Sequence, residues 1–336
     1  MTVVVCNRPG ELQATTRSIP SIAENEVLVR VKRVGVCGTD MHAFRGRQPY
    51  FSYPRIMGHE VAGIVERAPA TSALRPGDPV YIVPYLSCGK CAACASGKPN
   101  CCQKLQVLGV HRDGAFAEYI SVPQNSVFLA EGISLDDAAV LEFLAIGAHA
   151  VQRGEVRAGH RVIISGAGPI GTACAMFAAL SGADVTVLDV REDRLQRCRL
   201  GVPGAHTHLV DSATPELLRE LTRGDMFDVV FDATGNPASM ESGFQLVGHG
   251  GSYVLVSLVD AKIAFSDPEF HKREATLKAS RNATATDFAR VHRAVMEGKI
   301  PTQSLRTHRA ALAELPLAMP EWIRPESNVM KAIVEC

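Results

Sequence analysis

The run Gly166-Ala167-Gly168-Pro169-Ile170-Gly171 constrains this chain more than any other feature, because it follows an apolar β-type stretch at 161–165 and opens a helical pattern. Glycines at these places let backbone approach a pyrophosphate, and the helix N-terminus supplies positive partial charge. The surrounding pattern agrees. β-type runs at 161–165, 184–188, 228–233, 252–257 and 275–279, mostly separated by helical stretches, predict a doubly wound parallel sheet. Thr214-Pro215-Glu216 reads as a helix start inside it, since proline is tolerated at the first helical position. Asp189 ends the second run, about 20 residues past the glycines, where a carboxylate accepts from both ribose hydroxyls of NAD and repels the extra phosphate of NADP. Arg191 and Arg194 lie close enough to bind a 2′-phosphate; with the acid in place, NAD is the expected cofactor.

The first 147 residues read differently. Short β-type runs at 26–34, 61–66, 79–83 and 117–122 alternate with Gly/Pro turns. Ser134, with Asp136 and Asp137 behind it, caps a helix where the period changes. Residues 1–147 are therefore expected to form a β-rich domain and 148–284 the parallel-sheet domain. Residues 285–336 return to the first, ending in a β-type run at 329–336.

A chain of 336 residues is long enough for two cores. Thirty-five basic residues balance thirty-five acidic ones, which argues against nucleic acid or an anionic membrane and for a small-molecule partner. Residues 1–10 lack an export pattern and no apolar run reaches membrane length, so a cytoplasmic location is expected. Ten cysteines in such a chain suggest metal before disulfides.

Cys88, Cys91, Cys94 and Cys102 crowd into a loop expected at 84–105, with Cys101 as a competitor for the fourth place. Four thiolates close a tetrahedral zinc site with no open position, so its role is structural. Two other segments, Cys37-Gly38-Thr39-Asp40-Met41-His42 and Gly58-His59-Glu60, offer a thiolate, an imidazole and a carboxylate, the open three-ligand set of a catalytic zinc. Thr39 is placed to take the proton of a zinc-bound hydroxyl, and His42 to pass it to solvent through a ribose hydroxyl.

With these motifs, and with Asp113-Gly114-Ala115-Phe116-Ala117-Glu118-Tyr119, the chain resembles the zinc-containing medium-chain dehydrogenases over essentially its whole length. The resemblance implies a GroES-like catalytic domain joined to a Rossmann domain, two zinc ions per chain, NAD, and a homodimer or homotetramer. It favours Cys102 over Cys101, because the family's structural zinc has this spacing. It makes Cys37 and His59 catalytic-zinc ligands, with Glu60 and Glu142 sharing or exchanging the third place. Asp40 would accept a hydrogen bond from His59, and Arg194 would contact adenosine.

The run 44–54 is similar to the sugar-acid and polyol branch, such as L-gulonate, L-galactonate or L-idonate 5-dehydrogenases. Phe143, where proline commonly follows the glutamate, departs from it. The implied reaction is hydride transfer between NAD and a secondary alcohol of a sugar acid or polyol. Threonine 3-dehydrogenase is the alternative in the family, and a non-catalytic nucleotide sensor the alternative outside it. Arg45, Arg47, Arg55 and Arg281 are candidates to clamp a substrate carboxylate.

Overall fold

A computed structural model describes all 336 residues, which divide into two compact units. The first comprises Met1–Phe143, Thr284–Gly298 and Arg306–Cys336; the second comprises Leu144–Ala283 and Lys299–Leu305.

In the first unit, the long strand Glu26–Val36 is the organiser. Its apolar residues are buried on both faces, so it sits inside a sheet rather than at an edge. It pairs antiparallel with Glu60–Arg67 on one side and, at its two ends, with Tyr119–Pro123 and Lys331–Glu335 on the other. The sheet continues outward through Pro79–Ile82 and Val127–Leu129 in one direction, and through Arg306–Ala311 in the other. The β-type run at the end of the sequence thus does return to this sheet. Several strands escaped the sequence patterns, among them the hairpin of Thr2–Arg8 with Glu11–Thr16, the short strand Val127–Leu129 and the strand Arg306–Ala311. Both Glu11–Thr16 and Arg306–Ala311 carry mixed polar residues and neither has a fully buried position, which erases the period-two signal.

Register matters for the site. Gly35 pairs with Glu60 across one side of the long strand and with Ile333 across the other. A Cβ on Gly35 would collide with the Glu60 carboxylate and lie 2.9 Å from the Ala139 carbonyl oxygen, so only glycine leaves Glu60 its place. Ser134 caps the short helix Leu135–Ala138, accepting from the Asp137 N–H, a contact worth about 1 kcal/mol.

The second unit holds six parallel strands in the order His206–Leu209, Asp184–Asp189, Arg161–Ser165, Phe227–Asp232, Val247–Leu255 and Thr276–Ala279. Order reverses at Arg161–Ser165, the switch point that places a crevice at the strands' carboxyl ends. The outermost strand, His206–Leu209, is polar and short and gave no signal in the sequence. The helix Pro215–Leu221 begins where Thr214 predicted, with Thr214 accepting from the Leu217 N–H.

Candidate zinc centre and nucleotide site

The strand Glu26–Val36 delivers Cys37 at its end, as the N-cap of the helix Gly38–Phe44. Glu60 opens the neighbouring strand, and His59 precedes it in the connecting segment. The donor atoms of Cys37, His59 and Glu60 all lie within 4.8 Å of one another. His59 and Glu60 are buried, and His59 Nδ1 and Glu60 Oε2 have no hydrogen-bond partner. Buried polar atoms are rarely left so, and a thiol, an imidazole and a carboxylate gathered this closely with such atoms among them are the mark of a cation site. The residues present therefore fit a zinc ion.

Asp40 is buried and tied to backbone, accepting from Cys37 N at 2.9 Å and from Gly58 N at 3.1 Å. It pins the two donor segments to one another. The expected hydrogen bond from His59 is not made: Nδ1 stands 3.8 Å from Oδ1, beyond hydrogen-bond reach, and the carboxylate accepts from the two backbone N–H groups instead. The charges still feel each other. Burial alone would lower the His59 pKa, but Asp40 and then Cys37 hold it well above the ordinary histidine value.

Glu142, in the first turn of Leu141–Arg153, is buried but lies outside the three-donor set. Burial pushes its pKa up. One of its oxygens accepts from the Tyr85 hydroxyl, itself held far above the ordinary tyrosine pKa by burial and by that carboxylate. Across the site, the Lys331 ammonium reaches Glu60 Oε1 at 2.6 Å. Neither Tyr85 nor Lys331 stood out in the sequence. Lys331 had one signal, a lone cation inside the apolar run Met330-Lys331-Ala332-Ile333-Val334, where strand periodicity leaves it no exposed face.

Thr39 and His42 are three residues apart on the helix Gly38–Phe44 and so share one face. His42 is exposed, with its pKa held below the ordinary 6.5 by partial burial of the ring and then by Arg45 and Arg47. Of the candidate clamp arginines in this unit, Arg45 donates to the Ile323 carbonyl and Arg55 to Ser52 Oγ at 2.7 Å. The Arg47 guanidinium is exposed. Arg281 belongs to the second unit.

The four-cysteine lobe closes on itself. The sulfur atoms of Cys88, Cys91, Cys94 and Cys102 lie within 4.8 Å of one another, whereas Cys101 is exposed and outside the set. Backbone N–H groups of Cys94 and Gln103 lower the Cys91 thiol to about 6, while burial, then Cys91, raises Cys94 to about 11. Four thiolates at this distance cannot all ionise without a cation among them. Only Asn100 and Cys102 are buried between residues 88 and 102, so the lobe has almost no apolar core.

In the second unit, Gly166 adopts a positive φ of 97°, and a Cβ on Gly171 would strike the Gly166 carbonyl. Nothing lies within 4 Å of where a Cβ on Gly168 would stand, at the N-cap of Pro169–Leu180. That open ground is where a pyrophosphate fits, so the loop suits a dinucleotide. A cavity of about 1350 Å³ is lined by Gly166, Gly168, Asp189 and Arg194 among others. Asp189 is buried and accepts from Ala167 N at 2.7 Å and from Arg191 N at 2.9 Å, which braces the glycine loop. Arg191 is engaged by Asp193 at 2.8 Å, while Arg194 stands 3.9 Å from Asp189.

A dinucleotide-type sheet in one unit and a close thiol–imidazole–carboxylate set in the other define a class: a metal-dependent, nucleotide-linked oxidoreductase. Comparison with known proteins narrows it. The alcohol dehydrogenase GroES-like domain model matches residues 23–132 and the zinc-binding dehydrogenase model residues 169–297. The chain is 44% identical to the L-galactonate-5-dehydrogenase of Escherichia coli K12 over 94% of its own length and 93% of the relative's. It is 34% identical to a sorbitol dehydrogenase of Bacillus subtilis over 77% and 75%. A crystal structure of an Escherichia coli CFT073 alcohol dehydrogenase in complex with NADH superposes with a TM-score of 0.92 at 28% identity, covering 100% of this chain and 99% of that one. The chain belongs to the zinc-binding alcohol dehydrogenase family, in its polyol and sugar-acid branch.

Proposed function

We propose that this enzyme oxidises a secondary hydroxyl of a hexonate-type sugar acid, with NAD as acceptor and two zinc ions per chain. The observation that carries the chemistry is the donor trio of half-buried Cys37 with buried His59 and Glu60, two of whose polar atoms are unpartnered. The 44% identity to L-galactonate-5-dehydrogenase supports the choice of substrate.

Cys37, His59 and Glu60 are read as the catalytic-zinc ligands, and Glu142 as a nearby carboxylate outside the ligand set; Cys88, Cys91, Cys94 and Cys102 hold the structural ion. Zinc at the first site supplies Lewis acidity that favours the substrate's alkoxide near neutral pH. Thr39 then accepts the hydroxyl proton, and His42, one turn along the same helix face, moves it to solvent. Asp40 keeps the Cys37 and His59 segments in register through its two backbone hydrogen bonds. NAD, bound over Gly166, Gly168, Pro169, Ile170 and Gly171, supplies the hydride acceptor; Asp189 and Arg194 flank its adenosine half. Arg47 is the arginine best placed to meet a substrate carboxylate, because Arg45 and Arg55 are hydrogen-bonded elsewhere.

The strand Thr276–Ala279 ends the parallel sheet with one unpaired edge and Leu277 exposed, a surface suited to a homodimer or homotetramer. All ten cysteines are free, which suits a reducing cytoplasm.

A substrate screen tests the proposal. NADH formation is followed by absorbance with L-galactonate, other hexonates, sorbitol and threonine, each with NAD and with NADP. The hexonates should give the highest kcat/KM; threonine or sorbitol ahead by roughly tenfold, about 1.4 kcal/mol of transition-state binding, would overturn it.

A further inference from the structure

Lys331 is the most buried cation in the molecule's catalytic unit, with its side chain 2% exposed. It stands on the strand Lys331–Glu335, whose neighbour in the sheet is the strand that ends at Cys37. An ammonium group has three N–H donors. One reaches Glu60 Oε1 at 2.6 Å and a second the Val36 carbonyl at 3.2 Å, while the Phe143 ring centroid lies 4.4 Å from the nitrogen. The 2.6 Å approach to a carboxylate oxygen is that of a charge-assisted hydrogen bond. Two of its three donors are thus spent on protein oxygens.

What Lys331 does is read from the other end of the pair. Glu60 has one oxygen in the ion pair and the other, Oε2, buried without a partner, and an oxygen of this carboxylate lies within 4.8 Å of the Cys37 and His59 donor atoms. Without Lys331, both oxygens would be free to turn toward the same cation. A two-oxygen grip would take the coordination position that a catalytic zinc must keep open for its substrate. Four acidic groups crowd the pocket, Cys37, Glu60, Glu142 and Asp40, more than one divalent ion would balance were all of them ionised. The ammonium offsets part of that excess without coordinating.

Resting on the reading of Glu60 as a zinc ligand, we propose that Lys331 is a positioning residue that restricts Glu60 to a one-oxygen grip and so keeps a coordination position open.

The test replaces the catalytic zinc with cobalt, leaving zinc in the four-cysteine lobe as a folding reference, and compares K331M, K331Q and E60Q with the native enzyme. In K331M the cobalt visible bands should lose intensity, as expected when a further ligand joins the tetrahedral set. Turnover should fall roughly 10- to 100-fold. Chelator competition should nevertheless show the catalytic site holding metal as tightly as the native site or more so, because a repelling charge is gone; a residue that only props up the fold would loosen it. K331Q, whose amide can still donate to Glu60 without a charge, should show the same trend more weakly and carries the test if K331M does not fold. Native bands and turnover in a folded Lys331 variant, or metal loosened with bands unchanged, overturn the proposal. If E60Q itself leaves the bands unchanged, it is the assignment of Glu60 as ligand that fails. If E60Q moves them and the Lys331 variants do not, only the role of Lys331 falls.

Discussion

His42 and Arg47 show how a local field sets a protonation state. The ring's pKa is depressed by partial burial and by the two arginines, so it is neutral at pH 7 and able to accept a proton. As pH falls through that lowered value the ring charges and the relay stops, which predicts an acid limb in kcat/KM below pH 6.5. Arg47→Ala removes a repelling cation, raises the ring's pKa and shifts the limb to higher pH. His42→Ala should remove the limb. Profiles of the three proteins decide it, and a limb unmoved in R47A speaks against the relay. Asp189 gives a second residue-level expectation. Asp189→Ser removes the carboxylate that repels a 2′-phosphate and leaves Arg194 beside the vacated place, since Arg191 is held by Asp193. The NADP:NAD ratio of kcat/KM should rise roughly 10- to 100-fold, the worth of one or two charge-assisted hydrogen bonds. The same change also loosens the Ala167 N–H, so some loss with NAD is expected.

At the scale of elements, the four-cysteine lobe is a loop whose only real core is its metal. It is framed by the two-residue strands Tyr85–Leu86 and Gln106–Val107, and the first of these carries the hydroxyl that holds Glu142. Strong chelation should therefore unfold the lobe and disturb the Glu142 carboxylate as well. Hydrogen exchange over residues 85–108 should rise sharply on stripping the structural ion and recover on adding zinc; protection that persists would mean that the lobe folds without it. Much of this was legible in the sequence. Dense, regularly spaced cysteines and a glycine fingerprint between strand and helix depend on local spacing, which the chain displays openly. Contacts that depend on register were hidden: Lys331 meets Glu60, and Tyr85 meets Glu142, across 271 and 57 residues. The missing His59–Asp40 bond was hidden for the same reason, because the 3.8 Å gap depends on how the two segments are held to one another.

For the whole molecule, the two chemistries belong to different units. All candidate zinc donors lie in the first, and the glycine fingerprint with Asp189 lies in the second. Cys37→Ala and His59→Ala should abolish turnover yet leave NADH binding, measured by fluorescence titration, within about threefold of the native enzyme, a shift of well under 1 kcal/mol. A parallel loss of binding would mean that the metal site shapes the nucleotide site.

The strand Lys331–Glu335 carries a further consequence, for biosynthesis. Every other strand of its sheet leaves the ribosome earlier, and the stretch Leu144–Ala283 of the second unit is translated in between. Domains generally fold as they emerge, at about 5 to 20 residues per second. The nucleotide-binding unit can therefore assemble, and the cysteine lobe can capture its ion from purely local ligands, while the catalytic unit still waits for its closing strand. Until that strand docks, Glu60 has no counter-ion and Cys37 stands beside an open sheet. The nascent chain is then a zinc protein that is not yet an enzyme, and the last side chain to join the catalytic pocket is the one that sets how its carboxylate is held.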